Sequence, residues 1–135
     1  MGWIKFVLAA TCAVSCATAA LAADSTRPRV QRDVEGYAIA TCLTYQAEPY
    51  LRGQGDGWAS AIVQGGKGDI NVLARLAARV KQELPKVPMA VIPSESGVGH
   101  DTTLPILYCH ELIDRPAVRA AIRQAIAALA PAYRR

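Results

Sequence analysis

Between residues 70 and 84 the sequence INVLARLAARVKQEL places Ile70, Leu73, Leu76, Ala77, Val80 and Leu84 at spacings of three and four, with Arg75, Arg79 and Lys81 on the positions between. An α-helix, with about 3.6 residues per turn, gathers those apolar positions on one face and turns the charges to the other. Asp69 is placed to cap the start of this helix, and Pro85 stops it. A helix with so marked an apolar stripe has to be covered, and nothing in the chain reads as a sheet to cover it: no stretch alternates with period two between hairpin turns. The partners must be other helices.

They are written on both sides of it. Val34, Ala38, Cys42 and Tyr45 keep the helical spacing, with Asp33 placed to cap the start and Pro49 to limit the end. GDGWASAIVQGG follows, with Asp56 before it and Gly65 and Gly66 after it, which predicts a helix of only about two or three turns. Downstream, Thr103 is placed to cap LPILYCHELI, and Asp114 with Pro116 opens a run in which Val118, Ala121, Ile122, Ala125, Ile126 and Leu129 share a face, with Pro131 marking its exit. The expected fold is all-α, a small bundle of about five helices. The stretch PKVPMAVIPSESGVGHDTT, residues 85–103, is too rich in proline and glycine to be helical and is expected to protrude as a long loop between the third and fourth helices, with MAVI able to form a short extended piece. Loops of this length are uncommon in a domain this small unless they are functional or disordered.

The first residues address the chain. MGWIKFVLAATCAVSCATAALAAD carries one basic residue, Lys5, then an apolar run, then Ala20, Leu21 and Ala22 in an A-x-A arrangement, the pattern of a secretory signal peptide cleaved after Ala22 or Ala23. The apolar run is short of the roughly 20 residues a membrane helix needs. A lipoprotein anchor at Cys16 is a minor alternative, since Ala13, Val14 and Ser15 make a poor lipobox. With residues 1–23 removed, residues 24–135 form a single helical domain whose net charge is 14 basic minus 11 acidic residues, or +3, because only Lys5 leaves with the signal. That charge is modest, the arginines are spread over helix faces and aromatic residues are few, so neither a nucleic-acid surface nor a stacking platform is expected. Tyr37, Tyr45, Tyr108 and Trp58 read as core.

Cys42 and Cys109 are the cysteines that remain, in an oxidising compartment, and the simplest reading joins them in one disulfide enclosing 66 residues. A loop that long gives about 4 kcal/mol in the chain-entropy model. The competing reading makes one of them a nucleophile with His100 or His110 as base. Adjacent helical residues point about 100° apart, so Cys109 and His110 cannot pair by themselves. No zinc-protease, haem-attachment, nucleophile-elbow or phosphate-loop motif occurs, so no catalytic residue, cofactor or metal site is assigned. GGKGD, residues 65–69, precedes a helix and offers amides to an anion, although such a run more often serves only as a joint.

Taken in order, GYAIATCLTY, GWASAIVQGGKGDINVLARLAARV, the SGV within the loop and LPILYCHELI resemble the type VI secretion amidase immunity family, small periplasmic proteins that neutralise peptidoglycan-cutting effectors. The resemblance rests on Tyr37, Cys42 and Leu43 of the first helix, on Ala59, Ser60, Ala61 and Gly65 of the second, on Ser96, Gly97 and Val98 of the loop, and on Cys109, Glu111 and Leu112 beyond it. It implies a helical, homodimeric, non-enzymatic protein that blocks a papain-like Cys-His amidase by pushing a loop into its active-site cleft. Ser94, Glu95, Ser96, Gly97, Val98, Gly99 and His100 would then be the partner-binding residues. The segment is chemically suited to such insertion. An irregular, glycine-containing backbone fits a cleft made for extended peptide, Ser94 and Ser96 offer small hydrogen-bonding groups, and Glu95 can face cationic groups that bind peptidoglycan carboxylates. Pro88 and Pro93 would lower the entropy lost on insertion. A general periplasmic inhibitor or binding module would share every one of these features except the amidase partner, and a small hydrolase would need a free thiol or an activated histidine.

Overall fold

Five helices account for most of the structure, and the first of them is the axis around which the rest assemble. A computed structural model describes residues 27–95, 97 and 99–134, so the expected signal segment with its Cys16 alternative, and the loop residues Ser96 and Val98, lie outside the described residues. The elements are α1 (Arg29–Thr44), α2 (Pro49–Gly65), α3 (Ile70–Glu83), a short 3-10 turn (Leu84–Lys86), β1 (Val91–Ile92), β2 (Thr102–Thr103), α4 (Pro105–Ile113) and α5 (Pro116–Tyr133). The expected all-α bundle is what forms, with a minor two-stranded antiparallel ladder added.

Helix α1 packs against all four other helices. Its burial therefore spreads around the helix instead of along one stripe, taking in Val34, Gly36, Ala38, Ala40, Cys42 and Leu43. Small residues are what allow that: with Ala and Gly on several sides, four neighbours can approach one helix. Around it Leu76 and Val80 of α3, Leu112 of α4, and Val118 and Ile122 of α5 are fully buried. Cys42 and Cys109 meet in the middle of this core, both fully buried and bonded to each other, with Cα atoms 5.6 Å apart. Gln46 follows one turn later and donates to the Cys42 carbonyl at 3.0 Å, its Nε2 lying 3.6 and 3.5 Å from the two sulfurs.

The helix boundaries depart from expectation in a consistent way. Asp33 does not cap α1, which begins at Arg29 behind Pro28; its carboxylate instead accepts from the Tyr133 hydroxyl at 2.8 Å. Helix α2 is not a short segment after Asp56 but begins at Pro49, with Glu48 as its cap, and runs through Gly53, Gly55 and Gly57. Proline at the first helical position starts a helix as readily as it ends the previous one. Glycine is tolerated at position 55 because the helices nearly touch there: an added Cβ would lie 2.7 Å from the Ala40 carbonyl oxygen. Asp69 does cap α3, accepting from the Asn71 amide at 2.9 Å. Thr103 belongs to β2 and leaves α4 to start at Pro105, Asp114 pairs with Arg119 without capping α5, and Pro131 lies inside α5, which continues to Tyr133. Ile70 is exposed, and the rest of the α3 stripe is covered by α1 and α5 of the same chain.

Candidate functional site

Residues 85–103 are a β-hairpin set on the end of the bundle. Val91 pairs with Thr103 and Ile92 with Thr102, and the Leu104 amide extends the ladder by donating to the Ala90 carbonyl at 2.8 Å. Four β-branched residues facing one another explain why the ladder forms at this point in an otherwise helical chain. Below it, the Tyr108 hydroxyl donates to the Leu84 carbonyl at 2.6 Å, tying the turn after α3 to α4. Burial pushes the pKa of Tyr108 up, which keeps that donor protonated. One residue further along α4 is Cys109, so the hairpin is rooted in the disulfide core on its outgoing side.

Beyond the ladder come the described residues 93–95, 97 and 99–101. The Ser94 amide donates to Asp101 Oδ1 at 3.2 Å, closing the neck, and the Gly97 amide donates back to the Ser94 carbonyl at 3.2 Å. Gly97 has φ 61, left-handed backbone that favours glycine, and no atom lies within 4 Å of where its Cβ would be. Glu95, Gly97, Gly99 and His100 are exposed, and Ser94 is half-buried. Of the expected partner-binding residues, the five that are described thus sit together on one protruding tip. The alternative of a cysteine nucleophile finds neither sulfur as a thiol, since both belong to the buried disulfide.

The surroundings of the hairpin were not foreseen from the sequence. Among the described residues, Tyr45, Tyr50, Met89, Val91, Ile92, Ile106 and Leu107 are exposed large apolar side chains on or beside the hairpin and the α1–α2 turn. A cleft of about 320 Å³ lies between the α1–α2 turn and the hairpin, lined by Gln46, Ala47, Glu48, Met89, Thr103 and Pro105. Tyr45, expected in the core, is instead exposed, with Lys81 Nζ 5.7 Å from its ring centre. Trp58, also expected in the core, is 43% exposed on α2. Tyr108 is buried as expected, and Tyr37 is half-buried against the core. The signal that could have located the exposed apolar residues beside the hairpin was the excess of apolar residues in MAVI and LPIL beyond what a two-residue ladder can bury.

In the GGKGD joint, Gly65 offers its carbonyl to Arg29 Nη2 at 2.9 Å and Asp69 caps α3. The first contact ties α1 to the end of α2, and the second closes the start of α3. Among the described residues, no group of three His, Cys, Asp or Glu side chains could hold a metal ion, and no helix is long and apolar enough to cross a membrane. No family model, no curated protein and no solved structure matches the chain.

Proposed function

We propose that this chain is a periplasmic immunity protein that inhibits a secreted peptidoglycan amidase of the papain-like Cys-His class by inserting the tip of its hairpin into the active-site cleft. The observation that carries the proposal is the combination of an exposed tip with exposed apolar side chains on the segments beside its base. Apolar surface of this kind around a projecting tip would serve as an interaction site. A plug needs both parts: the tip enters, and the apolar side chains seal against the rim of the cleft, supplying the desolvated contact from which most binding energy comes. The ladder, the Asp101 contact and the Tyr108 tether fix the base and neck of the hairpin before binding, which reduces the ordering cost. Signal cleavage and export belong to the same proposal and rest on the pattern of residues 1–23, and homodimer formation rests on the sequence resemblance. The α3 stripe adds no argument for a dimer, because α1 and α5 cover it.

Gly97→Arg tests the reading. The position has open space around it, so an arginine is accommodated at the cost of local strain, about 1–2 kcal/mol. Peptidoglycan hydrolysis by an amidase encoded beside this chain should be blocked by the wild-type protein and restored when the Gly97→Arg variant replaces it, with any fall in the unfolding midpoint limited to the several degrees that this strain accounts for. Full protection by the variant would remove the tip from the mechanism.

A further inference from the structure

On the side of the bundle where α1 is flanked by α2 and α4 there is a second cleft, of about 350 Å³, lined by Arg27, Arg32, Glu35, Gly36, Ile39, Trp58, His110, Ile113 and Arg119. Arg32, Gly36 and Ile39 follow the helical period along α1 and form its floor. The floor runs about 10 Å from Arg32 to Ile39, at 1.5 Å per residue. Trp58 is one wall. It lies so close that a Cβ on Gly36 would be 3.0 Å from its Cζ2 atom, and yet the residue remains 43% exposed. Ile113 and His110 of α4 are the other wall.

The two ends differ in charge. Glu35 is buried beneath the mouth and accepts from Arg27 at 2.8 Å, Gln31 at 3.1 Å and Arg119 at 2.9 Å. Arg119 is also held by Asp114, through its Nε at 2.9 Å and through its Nη2. Three guanidinium groups against two carboxylates leave one positive charge, and it belongs to Arg32, whose guanidinium makes no ion pair or hydrogen bond with any described residue. The far end, at Ile39 and Trp58, is apolar and aromatic.

We infer that this cleft binds an apolar ligand ending in a carboxylate, with the carboxylate on Arg32 and the apolar body along Ile39 and Ile113 against the exposed part of the Trp58 ring. Glu35 supports the site by engaging Arg27 and Arg119 in ion pairs, which leaves Arg32 as the lining guanidinium whose charge is not offset. An aliphatic acid and a peptide with an apolar C-terminal residue both present this chemistry. The inference concerns a different face of the molecule from the hairpin and does not depend on amidase inhibition.

Trp58 supplies the readout, because the chain has two tryptophans and Trp3→Phe leaves it as the only one. The Trp3→Phe chain is titrated with decanoate and with an N-acetylated tripeptide ending in a free phenylalanine carboxylate. A saturable change in Trp58 emission is expected with one or both, and the tighter of the two identifies the source. Arg32→Glu should weaken binding by about tenfold or more, as loss of a charge-assisted hydrogen bond requires. Methyl decanoate and the C-terminally amidated tripeptide should give no saturable change. Arg123→Glu, an equal change of charge on the exposed side of α5, should leave binding as it was. Circular dichroism identifies a variant that has failed to fold, and Arg32→Gln, which removes the charge without reversing it, should likewise weaken binding of both acids. The inference is overturned by no saturable change with either acid, by equal binding of the ester or amide, or by equal losses in Arg32→Glu and Arg123→Glu.

Discussion

A methyl group added at position 55 would sit 2.7 Å from the Ala40 carbonyl oxygen, 2.8 Å from the Thr44 amide nitrogen and 2.9 Å from the Leu43 Cβ. Two of those three atoms are backbone and cannot swing aside, so Gly55→Ala has to push α2 away from α1. The expected cost is about 1–3 kcal/mol. Two residues along, Gly57 is exposed with no atom within 4 Å of its would-be Cβ. There the same substitution removes only the conformational freedom of the unfolded chain and should leave stability unchanged or raise it by up to about 1 kcal/mol. Urea midpoints of the two variants should therefore move in different directions, and equal losses at both sites would mean that the α1–α2 approach is not close.

At the scale of elements, sequence was a good guide where one helix buries one face and a poor one elsewhere. The stripe of α3 and that of α5 could be read directly, because Leu73, Leu76 and Val80, and Val118, Ile122 and Leu129, each pack on one side. Helix α2 could not. Of its residues only Gly55 is buried, so it has almost no apolar period, and three glycines within five positions, 53 to 57, hid its first half. Its existence is decided by the fit to α1, a tertiary fact. The hairpin escaped for the opposite reason: a ladder of two residues per strand is too short for alternation to appear. At the candidate site the sequence marked the tip through its glycines and serines, while the exposed apolar residues beside it come from segments more than 50 residues apart, from Tyr45 to Leu107, so that MAVI and LPIL hint at only part of them. The neck contact of the hairpin can be tested separately from the core. Asp101→Ala removes the acceptor facing the Ser94 amide, so hydrogen exchange at that amide should quicken while the melting temperature stays within a few degrees, as befits a loop opened independently of global unfolding. Unchanged exchange would show that the neck is held by other means.

The whole molecule is best probed through pH and through its covalent link. Burial raises the pKa of Tyr37, Tyr108 and Tyr133 above the ordinary tyrosine value, with the Asp33 hydrogen bond adding to the effect at Tyr133. The folded state then holds these protons more tightly than the unfolded one, so their contribution is fully present below about pH 10 and is lost as pH rises past it. On the acid side the hydrogen bond from Lys86 lowers the pKa of Glu83 below the usual carboxylate value, helped by the charges of Lys86, Arg115 and Arg79 and opposed by burial. That contribution is present above the unfolded value and disappears as pH falls through the folded one. Stability measured across pH should decline at both extremes, and Glu83→Gln should flatten the acid limb; an acid limb that does not change would remove Glu83 from the account. The disulfide has a consequence of another kind. Cys42 precedes the hairpin and Cys109 follows it, so a protease that cuts the exposed tip divides the chain into two fragments with one partner of the disulfide on each. Both cut ends leave the body through the paired strands, and the packing beneath is untouched. The cleaved protein should run as one species on a denaturing gel without reductant and as two with it, keeping its helical circular dichroism in either case until it is unfolded. A tip lost to a protease would thus deprive the molecule of its reach while leaving it in one piece.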